Sequence, residues 1–182
     1  MITIGIIDDH GIVLQGVSNI FAAKSDYKVL FAINNLSEAN TTLEQTQPQV
    51  LFLDINIKGD DGLEALKVFK KKYAAMKVVM LTSFEETALV KTALRNGADG
   101  YLLKGSSKEE FLKALHTVAS GGKYFSGDIS SILIGQLTQP IQSSETKTVL
   151  EEENLITKRE KEILKLLLSG KGNKEIAEAL DI

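Results

Sequence analysis

Five short runs of apolar residues recur along the first 120 positions: ITIGII (2–7), YKVLFAI (27–33), VLFLD (50–54), KVVMLT (77–82) and DGYLLK (99–104). Most are apolar at successive positions rather than alternate ones, as strands buried on both faces require. Between them, apolar residues fall at helical spacing: Ile12, Val13, Val17 and Ile20; Leu63, Leu66 and Phe69; Leu89, Ala93 and Leu94; Phe111, Leu112, Leu115 and Val118. Ser37 and Ser107 stand where helix N-caps belong, and Gly97 and Gly121 where helices stop. Strands alternating with helices predict an α/β fold, a doubly wound five-stranded parallel sheet over residues 1–120.

The pattern then changes. Residues 121–139 predict a further helix in their middle, and 140–154 turn polar, with Pro, Ser, Thr and an acidic triplet. Thr157 and Glu160 form a capping-box pair ahead of Ile163, Leu164, Leu166, Leu167 and Leu168, and Gly170 ends that helix. Asn173 caps a last short helix carrying Ile176, Ala177 and Leu180. The organisation expected is a domain over 1–120, a helix plus polar linker over 121–154, and a small all-α segment over 155–182.

Composition narrows the class. Of 182 residues, 43% are apolar and 25% charged, cysteine is absent, and no run reaches the apolar length of a membrane helix. The opening MITIGIIDDH lacks a basic region and does not look like a signal peptide, so a reducing, cytoplasmic setting and no membrane partner are expected. The net charge of −3 argues against a surface that wraps nucleic acid. Residues 151–182 carry 6 Lys and Arg against 8 Asp and Glu, so the tail has no basic excess either.

Candidate chemistry gathers at strand ends. In an open parallel sheet, ligands bind beyond the carboxyl ends of the strands. Here those ends carry Asp8 and Asp9, Asp54, Thr82 and Lys104. Clustered carboxylates repel, and an all-oxygen set with open positions suits Mg²⁺. Asp54, between Leu53 and Ile55, is the best placed nucleophile, with Thr82 and Lys104 available to phosphoryl oxygens. The bland alternative is that Asp8 or Asp9 only caps the next helix. His10 and His116 are expected to be surface residues.

Residues 1–120 resemble the receiver domain of two-component response regulators. The resemblance is carried by the acid pair in IIDDH, the aspartate in LFLDINIKGDDG, the threonine in VVMLTS and the lysine in GADGYLLKG. It implies that Asp54 accepts a phosphoryl group from a sensor histidine kinase. It also implies that Asp8, Asp9, Asp54 and the Asn56 backbone carbonyl hold Mg²⁺, and that Thr82 and Tyr101 move together on phosphorylation. Ser83 replaces a more usual Ala or Gly, Gly105 a common Pro, and Ile57-Lys58 a common Met-Pro, which is expected to loosen that loop.

LITKREKEILKLLLSGKGNKEIAEALDI (155–182) resembles the first part of the LuxR-type helix-turn-helix of NarL/FixJ response regulators. By that resemblance, residues 174–180 form the helix that crosses the DNA backbone, with Asn173 and Lys174 as phosphate contacts, and the recognition helix is missing. The whole protein is then a phosphorylation-controlled transcription factor whose switch surface governs homodimerisation or release of the DNA-binding part. Residues 1–182 as written would bind DNA weakly or not at all. Two other readings stand beside it. One is a receiver acting through protein contacts with a vestigial tail. The other is an aspartyl-phosphate phosphatase, weakened because Asn56 stands where a second catalytic aspartate would be needed. Turnover beyond slow self-dephosphorylation is not expected.

Overall fold

The computed structural model describes residues 1–22, 24–83 and 87–126. The helices expected within 121–139 and 155–182, the capping box at Thr157, and Asn173 and Lys174 lie outside the described residues.

The described chain runs β1 (Ile2–Ile7), α1 (Gly11–Ala22), β2 (Tyr27–Ile33), α2 (Ala39–Thr46), β3 (Val50–Asp54), β4 (Asn56–Ile57), β5 (Asp60–Asp61), α3 (Gly62–Lys72), β6 (Lys77–Thr82), α4 (Thr87–Arg95), β7 (Gly100–Leu103), α5 (Lys108–Ala119) and β8 (Tyr124–Phe125). The main sheet is parallel with strand order β2-β1-β3-β6-β7-β8. It has six strands where the apolar pattern predicts five. The addition is β8, two residues paired to the edge of β7, too short to leave a periodicity. β4 and β5 form a separate antiparallel hairpin.

Helices cover both faces of the sheet. On one face Ile7, Leu51, Leu53, Val78, Met80 and Tyr101 pack with Leu43, Leu66, Phe69, Val90 and Ala93, from α2, α3 and α4. On the other, Ile4, Ile6, Phe52, Val79, Leu81 and Leu102 meet Val17 and Phe21 of α1 and Phe111, Leu115 and Val118 of α5. Neighbouring residues of one strand serve opposite cores, which is why β3 is buried at every position.

Local details differ from expectation in two places. Ile12 is 85% exposed, because it lies in the first turn of α1, next to the strand-end loops, and Phe21 takes the buried role at the far end. Ser37 is not a cap. The N-cap position of α2 is Glu38, with no side-chain cap, and Asn35 closes the turn before it, its Oδ1 accepting the Glu38 N–H at 3.0 Å and the Ser37 hydroxyl at 2.7 Å. Ser107 does cap α5, in a reciprocal box with Glu110. Among the described residues, no helix is long and apolar enough to cross a membrane.

Candidate functional site

Strand register brings the acids together. Ile7 of β1 pairs with Leu53 of β3, so the residues after them, Asp8 and Asp54, emerge side by side. Leu53 in turn pairs with Met80, and Thr82 with Leu103, which sets Thr82 and Lys104 at the same edge. The order β2-β1-β3 makes the gap between β1 and β3 the topological switch point, where a doubly wound sheet opens a crevice.

Asp54 is 2% exposed. Its Oδ2 accepts from Lys104 Nζ at 2.7 Å and its Oδ1 from the Asn56 N–H at 3.2 Å. Lys104 also lies 3.0 Å from Asp8 Oδ2. Asp8 is fully buried, and that oxygen accepts no hydrogen bond among the described residues, although the ammonium is near. Burial pushes the Asp54 carboxyl above the ordinary aspartate range; Lys104 opposes the rise and the Asp8 charge adds to it. Asp9 goes the other way. Burial raises it, but the Lys58 amide and the charges of His10 and Lys104 bring it below its usual value.

Lys58 corrects an expectation. Its φ is +50° and that of Gly59 +89°, the pair of positive angles that a tight two-residue hairpin uses between β4 and β5. Its N–H donates to Asp9 Oδ2 at 3.0 Å. The Pro usual at this position in the family could do neither, so Lys58 builds a closed turn fastened to an acid rather than a looser loop. Gly62 closes the same segment. Its N–H donates to the Ile55 carbonyl at 2.7 Å, and a Cβ there would stand 2.0 Å from the Asp54 carbonyl oxygen. Asp61 caps α3, its Oδ1 accepting from Leu63 N–H at 2.7 Å.

Of the residues singled out in the sequence, Asp8, Asp9, Asp54 and Lys104 converge, and Asn56 adjoins them on the surface. Thr82 is 4% exposed at its strand end, and Ser83 beyond it is exposed. Tyr101 is fully buried in the core that α2, α3 and α4 cover. His10 is the group sequence reasoning passed over. Its ring is 59% exposed, yet Nδ1 is 2.6 Å from Asp9 Oδ1 and 3.2 Å from Asp8 Oδ1. The only signal was its place directly after the acid pair.

Residues 4–116 match the family described as response regulator receiver domain, and residues 154–182 match the family described as bacterial regulatory proteins, luxR family. The nitrate/nitrite response regulator protein NarL of Escherichia coli (strain K12) is 35% identical over 180 residues, covering 99% of this chain and 81% of the relative. The chain belongs to the response-regulator family. Oxygen regulatory protein NreC of Staphylococcus epidermidis is 33% identical over 176 residues, 96% of this chain and 81% of the relative. In fold, this response regulator is similar to a LuxR-family two-component response regulator from Aurantimonas, with TM-score 0.72 and 24% identity over 76% of this chain and 99% of that one. It is also similar to the receiver domain of a NarL response regulator from Mycobacterium tuberculosis, with TM-score 0.62 and 27% identity over 66% and 97%. A receiver joined to a luxR-type segment makes the response regulator a phosphorylation-controlled regulator of transcription.

Proposed function

We propose that Asp54 is the phosphoacceptor and that its modification controls a DNA-binding segment beginning near residue 155. The observation that carries this is the buried Asp54 carboxylate at the switch point, held by Lys104 at 2.7 Å beside a second buried acid, Asp8. Asp54 attacks the phosphorus of a phosphohistidine on a partner kinase; the new O–P bond forms as the N–P bond breaks, and the imidazole leaves. Lys104 holds the carboxylate against its like-charged neighbour and is placed to meet phosphoryl oxygens afterwards. Thr82, at the adjacent strand end, is placed to donate its hydroxyl to the same group, with Ser83 next to it.

The donor set fits Mg²⁺. Asp8, Asp9 and Asp54 supply carboxylates, Asn56 follows Asp54 by two residues, and Asp8 Oδ2 is a buried acceptor with no hydrogen bond among the described residues. When bound, the ion would neutralise charge that the carboxylates and the phosphoryl oxygens otherwise leave in repulsion. Asn56 cannot act as a general acid or base, so return to the free carboxylate is slow self-dephosphorylation rather than catalytic turnover.

The reading includes a receiver over 1–120, a connecting segment over 121–154 and a DNA-binding part from 155, in a cytoplasmic protein whose partners are a sensor histidine kinase, operator DNA and a second copy of itself. Tyr101, buried in the same core as Val90 and Ala93 of α4, is the residue through which rearrangement at Thr82 would reach that helix. A neighbouring fold, the RcsB structure described as two dimers bound to two parallel DNAs (TM-score 0.68, 23% identity, 99% of this chain and 83% of that one), supports compatibility of this fold with such an assembly. Intact mass after incubation with Mg²⁺ and acetyl phosphate should show one added phosphoryl group, absent in Asp54→Ala. Retention of the added mass in that variant would sink the assignment.

A further inference from the structure

The phosphoacceptor chemistry uses three acids and a lysine, and leaves His10 without a task. Its backbone is fixed twice over. The His10 carbonyl accepts the first amides of α1, Val13 N–H at 3.0 Å and Leu14 N–H at 3.1 Å, so it holds the N-cap position. Its own N–H donates to Asp8 Oδ1 at 2.9 Å. N-caps are ordinarily Ser, Thr, Asp or Asn, whose side chains accept from the helix. An imidazole here does not cap. It turns Nδ1 into the acid cluster instead, 2.6 Å from Asp9 Oδ1, 3.2 Å from Asp8 Oδ1 and 3.3 Å from Lys104 Nζ.

We propose that His10 Nδ1 is a further donor to the divalent cation of this site, giving it a mixed nitrogen–oxygen set that takes later first-row ions such as Ni²⁺ in preference to Mg²⁺. The proposal rests on reading the acid cluster as a cation site. The geometry supports it. An octahedral ion with bonds of about 2.1 Å places adjacent donors about 3.0 Å apart. The two Nδ1-to-carboxylate separations bracket that value. One ligand atom from each of Asp8, Asp9, His10 and Asp54 falls within 4.8 Å of all the others. The buried Asp8 Oδ2 accepts no hydrogen bond among the described residues and faces the Lys104 ammonium at 3.0 Å, so positive charge already gathers at this oxygen. Ligation requires the neutral ring with its proton on Nε2. The chemical consequence is selectivity: carboxylate and carbonyl oxygens suit Mg²⁺, whereas imidazole adds most for Ni²⁺ and its neighbours in the series.

The test is isothermal titration of tag-free protein with Ni²⁺ and with Mg²⁺ separately. The chain holds two histidines, so His116→Gln makes His10 the sole imidazole in the starting protein. His10→Ala, a substitution at an exposed ring, should then weaken Ni²⁺ by about tenfold or more and Mg²⁺ by less than about threefold. Mg²⁺ should displace Ni²⁺ one for one, and Asp8→Asn should weaken both. Equal loss of the two ions would make His10 a residue that merely shapes the acids, and an unchanged Ni²⁺ affinity would remove it from the site; either overturns the proposal. Failure of the starting protein to bind Mg²⁺ at all is a different result, and it would remove the cation reading on which this one stands.

Discussion

The sheet carries a buried aspartate–lysine pair at each of its two edges, and the two are built for opposite ends. At the amino edge, Asp99 accepts from Lys70 Nζ at 2.9 Å and from the Val78 N–H at 3.0 Å, with Lys77 Nζ 3.5 Å away. Lys70 is shared with the Met76 carbonyl at 3.0 Å. Burial raises the Asp99 carboxyl, but Lys70, the Val78 amide and Lys77 outweigh it and hold the group below its ordinary value. At the carboxyl edge, Asp54 has one lysine and one longer amide contact, shares that lysine with Asp8, and is held above its ordinary value. The first pair is saturated and ties α3 to β6 and β7. The second is short of donors and crowded by like charge. A site that must receive a cation and a phosphoryl group has to be left wanting; a structural anchor must not be.

The largest effect that separates them is on stability. Asp99→Ala leaves the Lys70 ammonium and the Val78 amide without their shared acceptor, and is expected to cost about 3 kcal/mol in urea unfolding. Asp54→Asn removes a repelling charge and should leave stability unchanged or raise it. If the two variants behaved alike, the contrast would fail. Gly62→Ala comes next. Its methyl would collide with the Asp54 carbonyl oxygen, so about 2 kcal/mol of stability should be lost. Phosphorylation by acetyl phosphate should slow in the same variant, because the carbonyl belongs to the acceptor itself.

Smaller again is the capping box, whose effect should not distinguish the edges at all. Ser107→Ala is expected to cost about 1 kcal/mol with phosphorylation rate unaltered. The finest test is the pH dependence. Asp99, lowered on folding, contributes stability that is present above the unfolded value of 3.8 and lost as pH falls through its folded value. Asp54, raised on folding, does the reverse: the folded state binds its proton more tightly, so its contribution is fully present below 3.8 and lost as pH rises through the folded value. Acid titration of stability should therefore flatten at its low end in Asp99→Asn and flatten above 3.8 in Asp54→Asn. Identical profiles would mean that the two carboxylates are electrostatically equivalent.

Much of the fold was legible. Apolar runs located β1, β2, β3 and β6 to the residue: β3 and β6 are buried almost throughout, while β2, at the sheet edge, kept its apolar character although only Tyr27 is buried. The acids and Lys104 were legible because each directly follows such a run. Other features left no signal. β8 is only two residues long, and the Asn35 turn before α2 depends on a loop conformation that many polar sequences share. Asp99 looked like any polar residue at a strand start, since its partners lie on β6 and α3. Lys58 looked like a loosened proline because positive φ is a property of the folded turn. His10 looked like a surface residue, and its ring is indeed exposed; only its nitrogen is engaged.

By itself, the sequence determined which segments form the five long parallel strands, which residue stands at the end of each, and which chemistry those side chains can supply. These are local matters, set by burial periodicity and functional-group type over a few residues. Only the tertiary structure decided that Asp54 meets Lys104 across 50 residues and that Asp9 meets the Lys58 amide across 49. It also decided that one buried aspartate is saturated and the other is not. Strand register and order set those distances, and a carboxylate's ionisation follows from the donors within about 3 Å of it, not from its neighbours in the chain.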